Sequence, residues 1–97
     1  MDKSILQKAI DTYGTHNQML KCIEECGELS RAVSRILTEL SSGDGFTTEE
    51  SLANLQEELA DVSIMIEQVV MMFKFEKDVN QYKAFKLNRL KERLEHE

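Results

Sequence analysis

Apolar residues recur along this chain at intervals of three and four, the period of an amphipathic helix, in four stretches. The first helix is expected from about Asp2 or Ser4 to Tyr13, with Ile5, Leu6, Ala9, Ile10 and Tyr13 on its apolar face and Gly14 as its stop. A second is expected from near Asn17 to about Leu40, with a stripe at Cys22, Glu25, Leu29, Ala32 and Ile36. The turn Ser41-Ser42-Gly43-Asp44-Gly45-Phe46 follows. The third helix is predicted to begin after Thr47, with Thr47-x-x-Glu50 as a capping box, and to run to about Phe73. The fourth is predicted from an N-cap at Asp78 to about Leu94.

Helix three carries a seam at Leu52, Leu55, Leu59, Val62, Ile66, Val69 and Phe73, which favours near-parallel helix packing. In its second half Ile64, Met65, Val70, Met71 and Met72 make it apolar on nearly every side, and such a helix needs cover all round. The expectation is an all-α antiparallel bundle of about four helices, one domain over residues 1–97, completed by homo-oligomerisation through this half of helix three.

Composition agrees. There is no Pro and there are only four Gly, which suits long uninterrupted helices. The net charge of −6 argues against a surface that binds nucleic acid indiscriminately. Seven of the twelve Lys and Arg fall between Lys74 and Arg93, downstream of the main acidic clusters. An acidic site beside a basic segment suits a metal–phosphate ligand.

The clusters are Glu24-Glu25-x-x-Glu28 on helix two and Glu57-Glu58-x-x-Asp61 on helix three. In each, carboxylates three residues apart lie one turn apart on one face. Two helices joined by a short loop run antiparallel. From a turn midpoint near residues 43 to 44, Glu25 and Glu28 lie 15 to 19 residues back, and Glu58 and Asp61 lie 14 to 18 residues on. Connectivity alone therefore sets the two clusters at matching height. Carboxylates so massed hold protons or a hard cation, and an all-oxygen donor set suits Mg²⁺ or Mn²⁺.

Other chemistries fit less well. Cys22 and Cys26 lie four apart on one helix, which disfavours a disulfide, and zinc would need further ligands that the spacing does not supply. They read as small buried hydrophobes in a reducing compartment. Around Asp44-Gly45 a calcium loop would require Leu40 as its first ligand and Ser51 as its twelfth, so that register fails. A di-iron bundle wants Glu-x-x-His, whereas Glu28 is followed by Arg31 and Asp61 by Ile64. The apolar run Val62–Phe75 is interrupted by Glu67 and Gln68 and is too short to span a bilayer. No signal peptide is visible, and a cytoplasmic protein without membrane or nucleic-acid partners is expected.

The run Glu24-Glu25-Cys26-Gly27-Glu28-Leu29, followed after a loop-containing spacer by Glu58-Leu59-Ala60-Asp61, resembles the MazG-like all-α nucleoside triphosphate pyrophosphohydrolases. The lead-in Gln18-Met19-Leu20-Lys21 is similar as well. The resemblance implies Mg²⁺-dependent hydrolysis of a nucleoside triphosphate to the monophosphate and pyrophosphate, by a homodimer or homotetramer. Carried onto this chain, it makes Glu25, Glu28, Glu58 and Asp61 metal ligands and Glu24 a supporting acid or the base that orients the attacking water. It assigns Gln18, Lys21, Lys86 and Arg89 to the substrate. The competing reading is a non-catalytic helical oligomer, a structural, regulatory or nucleotide-binding module, in which the acids serve no turnover.

Overall fold

A computed structural model describes residues 1–97 as four helices with no strand: α1 Lys3–Tyr13, α2 Thr15–Leu40, α3 Glu49–Phe73 and α4 Glu76–Glu95. Asp2 caps α1, its carboxylate accepting from the Ser4 backbone N–H at 2.9 Å. Gly14, at φ +90°, ends α1 by donating its N–H to the Ile10 carbonyl, and its own carbonyl accepts from Gln18 N at 3.0 Å. One residue thus serves both helices, so α2 begins at Thr15, two residues earlier than the apolar pattern indicates.

The start of α3 differs from the expected capping box. Thr48, not Thr47, is the cap, its Oγ1 accepting from Ser51 N at 3.0 Å. The reason is tertiary: the Thr47 hydroxyl donates to Glu39 across the loop and is unavailable for capping. At the other end Lys74 adopts the left-handed conformation (φ 57°, ψ 45°) and closes α3. Only Phe75 then separates it from α4, which begins at Glu76 rather than with an N-cap at Asp78.

Helices α2 and α3 form the body and run antiparallel, with Gln18 bonded to Gln68 at one end and Glu39 to Ser51 at the other. The expected α2 stripe holds: Glu25 and Ala32 are buried, and Cys22, Leu29 and Ile36 are half-buried. The α3 seam is turned from the expected one. Of its members Val62 is buried and Leu55 and Val69 are half-buried, but Leu52, Leu59, Ile66 and Phe73 are exposed, while Ser51, Met65 and Gln68 are buried. Ser51 and Gln68 can go inside because Glu39 and Gln18 satisfy them, which rotates the helix toward its polar side and leaves the leucine edge out. α1 lies on this pair through Leu6 and Ile10, leaving Ile5 and Tyr13 outside.

α4 has no buried residue and packs only on the end of α3, with one exposed ion pair from Glu76 to Lys3 of α1 at 3.4 Å. Tyr82, Phe85, Leu87, Leu90 and Leu94 are all exposed along it. The radius of gyration is 17.1 Å, against roughly 12.5 Å for a compact domain of this length. The apolar second half of α3 is therefore only partly covered within one chain: Met65 is buried and Val69, Val70, Met71 and Met72 are half-buried, but Ile64, Ile66 and Phe73 stay exposed. No helix is long and apolar enough to cross a membrane.

Candidate metal centre

Glu25 projects from the inward stripe of α2 and is only 7% exposed. Opposite it, Glu58 is half-buried on α3, and Asp61 follows one turn later at the open edge. One carboxylate oxygen from each of these three residues lies within 4.8 Å of the other two. Two helices brought together by their connecting loop thus assemble the cluster at the height that the residue spacing indicates. Charges about 5 Å apart repel by roughly 3 kcal/mol at an effective dielectric of 20.

Glu25 Oε2 and Glu58 Oε2 are both buried without a hydrogen-bond partner. A buried carboxylate oxygen left unpaired is costly, and these two face one seam from opposite helices. The donor set is all oxygen, which fits a hard divalent cation and not zinc or copper. Glu28 sits beside the three mutually close acids. Its carboxyl is pushed above the ordinary glutamate range, first by the charge of Glu25 and then by desolvation and by Glu58.

Lys21 partly balances the cluster, with Nζ 3.3 Å from Glu25 and 3.7 Å from Glu24. The hydrogen bond to Glu25 and the charge of Glu24 raise the Lys21 ammonium above its ordinary value, so it stays charged. Glu24 itself is exposed on the solvent side of α2. Gln18 points inward, its Nε2 donating to Gln68 Oε1 at 2.8 Å. Lys86 and Arg89 are exposed on α4 and form no ion pair with the acids of their own chain.

The spacing of the acids does not reveal the polar contacts around them. Gln68 carries a faint signal, lying seven residues beyond Asp61 just as Gln18 lies seven before Glu25. Glu39 and Ser51 carry the same one, at multiples of seven from Glu25 and Glu58. Each inward-facing acid position is therefore repeated, in helical register, by a polar residue nearer the helix end.

Searches of curated proteins and of solved structures each returned no significant match. A family model, the MazG nucleotide pyrophosphohydrolase domain, matches residues 14–96. That span takes in the whole of α2, α3 and α4, including every acid of the cluster. With the paired acidic turns facing each other across α2 and α3, the chain belongs to the MazG nucleotide pyrophosphohydrolase family.

Proposed function

We propose that this chain is a Mg²⁺-dependent nucleoside triphosphate pyrophosphohydrolase that converts a (d)NTP and water to the (d)NMP and pyrophosphate. One observation carries the reading: Glu25 and Glu58, on two helices of a MazG-family chain, each bury a carboxylate oxygen that nothing in the chain satisfies. Glu25, Glu28, Glu58 and Asp61 would hold the cation, Mg²⁺ or Mn²⁺, which when bound neutralises charge on the phosphate oxygens.

The remaining roles fall to the chain. Glu24, adjacent in sequence to Glu25 and open to solvent, orients a water toward the α-phosphorus and takes its proton. The new bond joins that water oxygen to the α-phosphorus; the bond from it to the α,β-bridging oxygen breaks, and pyrophosphate leaves. Lys21, held charged by Glu24 and Glu25, stands ready to meet a phosphate oxygen at the rim. Lys86 and Arg89 complete the substrate contacts, whereas Gln18 has its carboxamide turned inward onto Gln68.

A homodimer or homotetramer is part of the proposal. A groove of about 350 Å³ lined only by Met19, Cys22, Ile23, Cys26 and Val69 lies open on one side of the α2–α3 pair. α4 falls inside the family match yet has no buried residue. A second copy laid on these surfaces would cover them and bring its own basic residues toward the acids. The enzyme is proposed to act in the cytoplasm, with no nucleic-acid or membrane partner.

The test is pyrophosphate release from a panel of dNTPs and NTPs, with Mg²⁺ and with EDTA, on wild type and Glu28→Gln. Release that needs Mg²⁺ and is abolished by the substitution supports the enzyme. No release from any nucleotide by folded, metal-loaded protein sinks it and favours a nucleotide-binding or structural module.

A further inference from the structure

The acid cluster poses a mechanical problem. Three carboxylates from two helices repel one another in the metal-free chain, and the force acts to part α2 from α3. Little apolar burial opposes it: in these two helices only Ala32, Val62 and Met65 are buried hydrophobic residues. Such a short apolar set also specifies the sliding register of two long helices weakly.

Two polar contacts lie on either side of the cluster. Toward the chain termini, the buried carboxamides of Gln18 and Gln68 meet at 2.8 Å, and Gln68 Nε2 lies 3.7 Å from Met65 Sδ. Toward the α2–α3 loop, Glu39 accepts from Ser51 Oγ at 2.7 Å, from Thr48 N at 3.3 Å and from the Thr47 hydroxyl. Arg35 Nε adds an ion pair to Glu39 at 3.5 Å. Ser51 is completely buried and Gln68 is 3% exposed, so sliding one helix past the other would strip buried groups of their partners. Each contact is specific to one register, as a buried polar pair is in a coiled coil.

We propose that the Gln18–Gln68 pair and the Glu39–Ser51 latch are positioning elements that lock α2 and α3 in the register holding Glu25, Glu58 and Asp61 within reach of one cation. The inference rests on the metal reading of that cluster. The locks keep the carboxylates together before metal arrives, so the cation meets a preorganised site.

The experiment is Mn²⁺ binding by calorimetry, without nucleotide, on the full chain. Four proteins are compared: wild type, Glu25→Gln, the double variant Gln18→Met/Gln68→Met, and Glu39→Gln. Methionine matches glutamine in length, and replacing both carboxamides leaves no orphaned partner, so the double variant keeps its helicity and its metal-free thermal midpoint. Its Mn²⁺ affinity is expected to fall about tenfold, as is that of Glu39→Gln. Removal of a merely structural contact would lower the midpoint and leave the Mn²⁺ affinity of the folded protein unchanged.

Folded clamp variants that bind Mn²⁺ as tightly as wild type overturn the proposal while the metal site stands. A wild type that binds no Mn²⁺ overturns the metal reading and the proposal with it. Should the methionine pair fail to fold, Glu39→Gln, at the opposite end and of unchanged size, decides the matter by the same readout.

Discussion

Glu25 on α2 and Glu58 on α3 face one seam from opposite helices, and each keeps one buried oxygen with no hydrogen-bond donor. This relationship predicts opposite effects on stability and on activity. Glu25→Gln and Glu58→Gln should each raise the thermal midpoint of the metal-free chain, because repulsion is relieved. Each should also abolish stabilisation by Mg²⁺ and cut pyrophosphate release at least about 100-fold. Differential scanning with and without Mg²⁺, alongside a turnover assay, checks both. A lowered metal-free midpoint would mean that the unpaired oxygens are satisfied in solution.

The pH dependence of the metal-free chain should divide at the ordinary glutamate value of 4.5. Glu28 has its carboxyl raised, chiefly by Glu25, so it contributes stability below that value and loses it as pH rises through the raised one. Glu39 has its carboxyl lowered, chiefly by the Thr47 and Ser51 hydroxyls. Its contribution is present above 4.5 and lost as pH falls through the lowered value. Glu28→Gln should therefore flatten the neutral side of a plot of midpoint against pH, and Glu39→Gln the acid side. The reverse assignment would contradict the contacts described for both residues.

The exposed apolar face of α4 supplies a test of assembly. Leu90→Lys alters a residue that is 47% exposed in the single chain. For a monomer this change is worth about 0.5 kcal/mol or less. We expect instead that analytical ultracentrifugation finds wild type at two or four chains and the variant shifted to monomer. An unshifted variant would place the interface elsewhere.

Ala32 is 2% exposed in the seam between the acid cluster and the Glu39 latch. Ala32→Leu adds volume where the two helices approach and should cost about 1–3 kcal/mol. Because it spreads α2 from α3 near the acids, Mg²⁺ affinity should fall along with stability. Chemical denaturation and a metal titration on the same sample test the pair of effects; retained affinity in a destabilised protein would show that the site tolerates a wider seam.

Lys86 and Arg89 are solvent-exposed on a helix that buries nothing, so replacing either with Ala should leave the fold intact. If they meet phosphate, each substitution raises KM about tenfold, with circular dichroism unchanged. An unchanged KM in both would remove α4 from the substrate contacts.

Sequence by itself determined the helical class, because a three-and-four apolar period with no Pro and few Gly leaves little alternative. It also determined that the acids of α2 and α3 meet, since a short loop between long helices equalises their distances from the turn. Helix ends were legible only where local groups set them: Asp2 and Gly14 act on their own neighbours, whereas Thr47 is drawn away by Glu39 from eight residues upstream. The face that α3 buries was a tertiary decision. Read alone, Ser51 and Gln68 look like surface residues, and the leucine edge looks like core. Their partners Glu39 and Gln18 arrive from another helix, and those hydrogen bonds remove the cost of burying Ser51 and Gln68 beside Val62 and Met65. Periodicity reports how apolar a face is; which face turns inward depended on partners that only the assembled helix pair brings together.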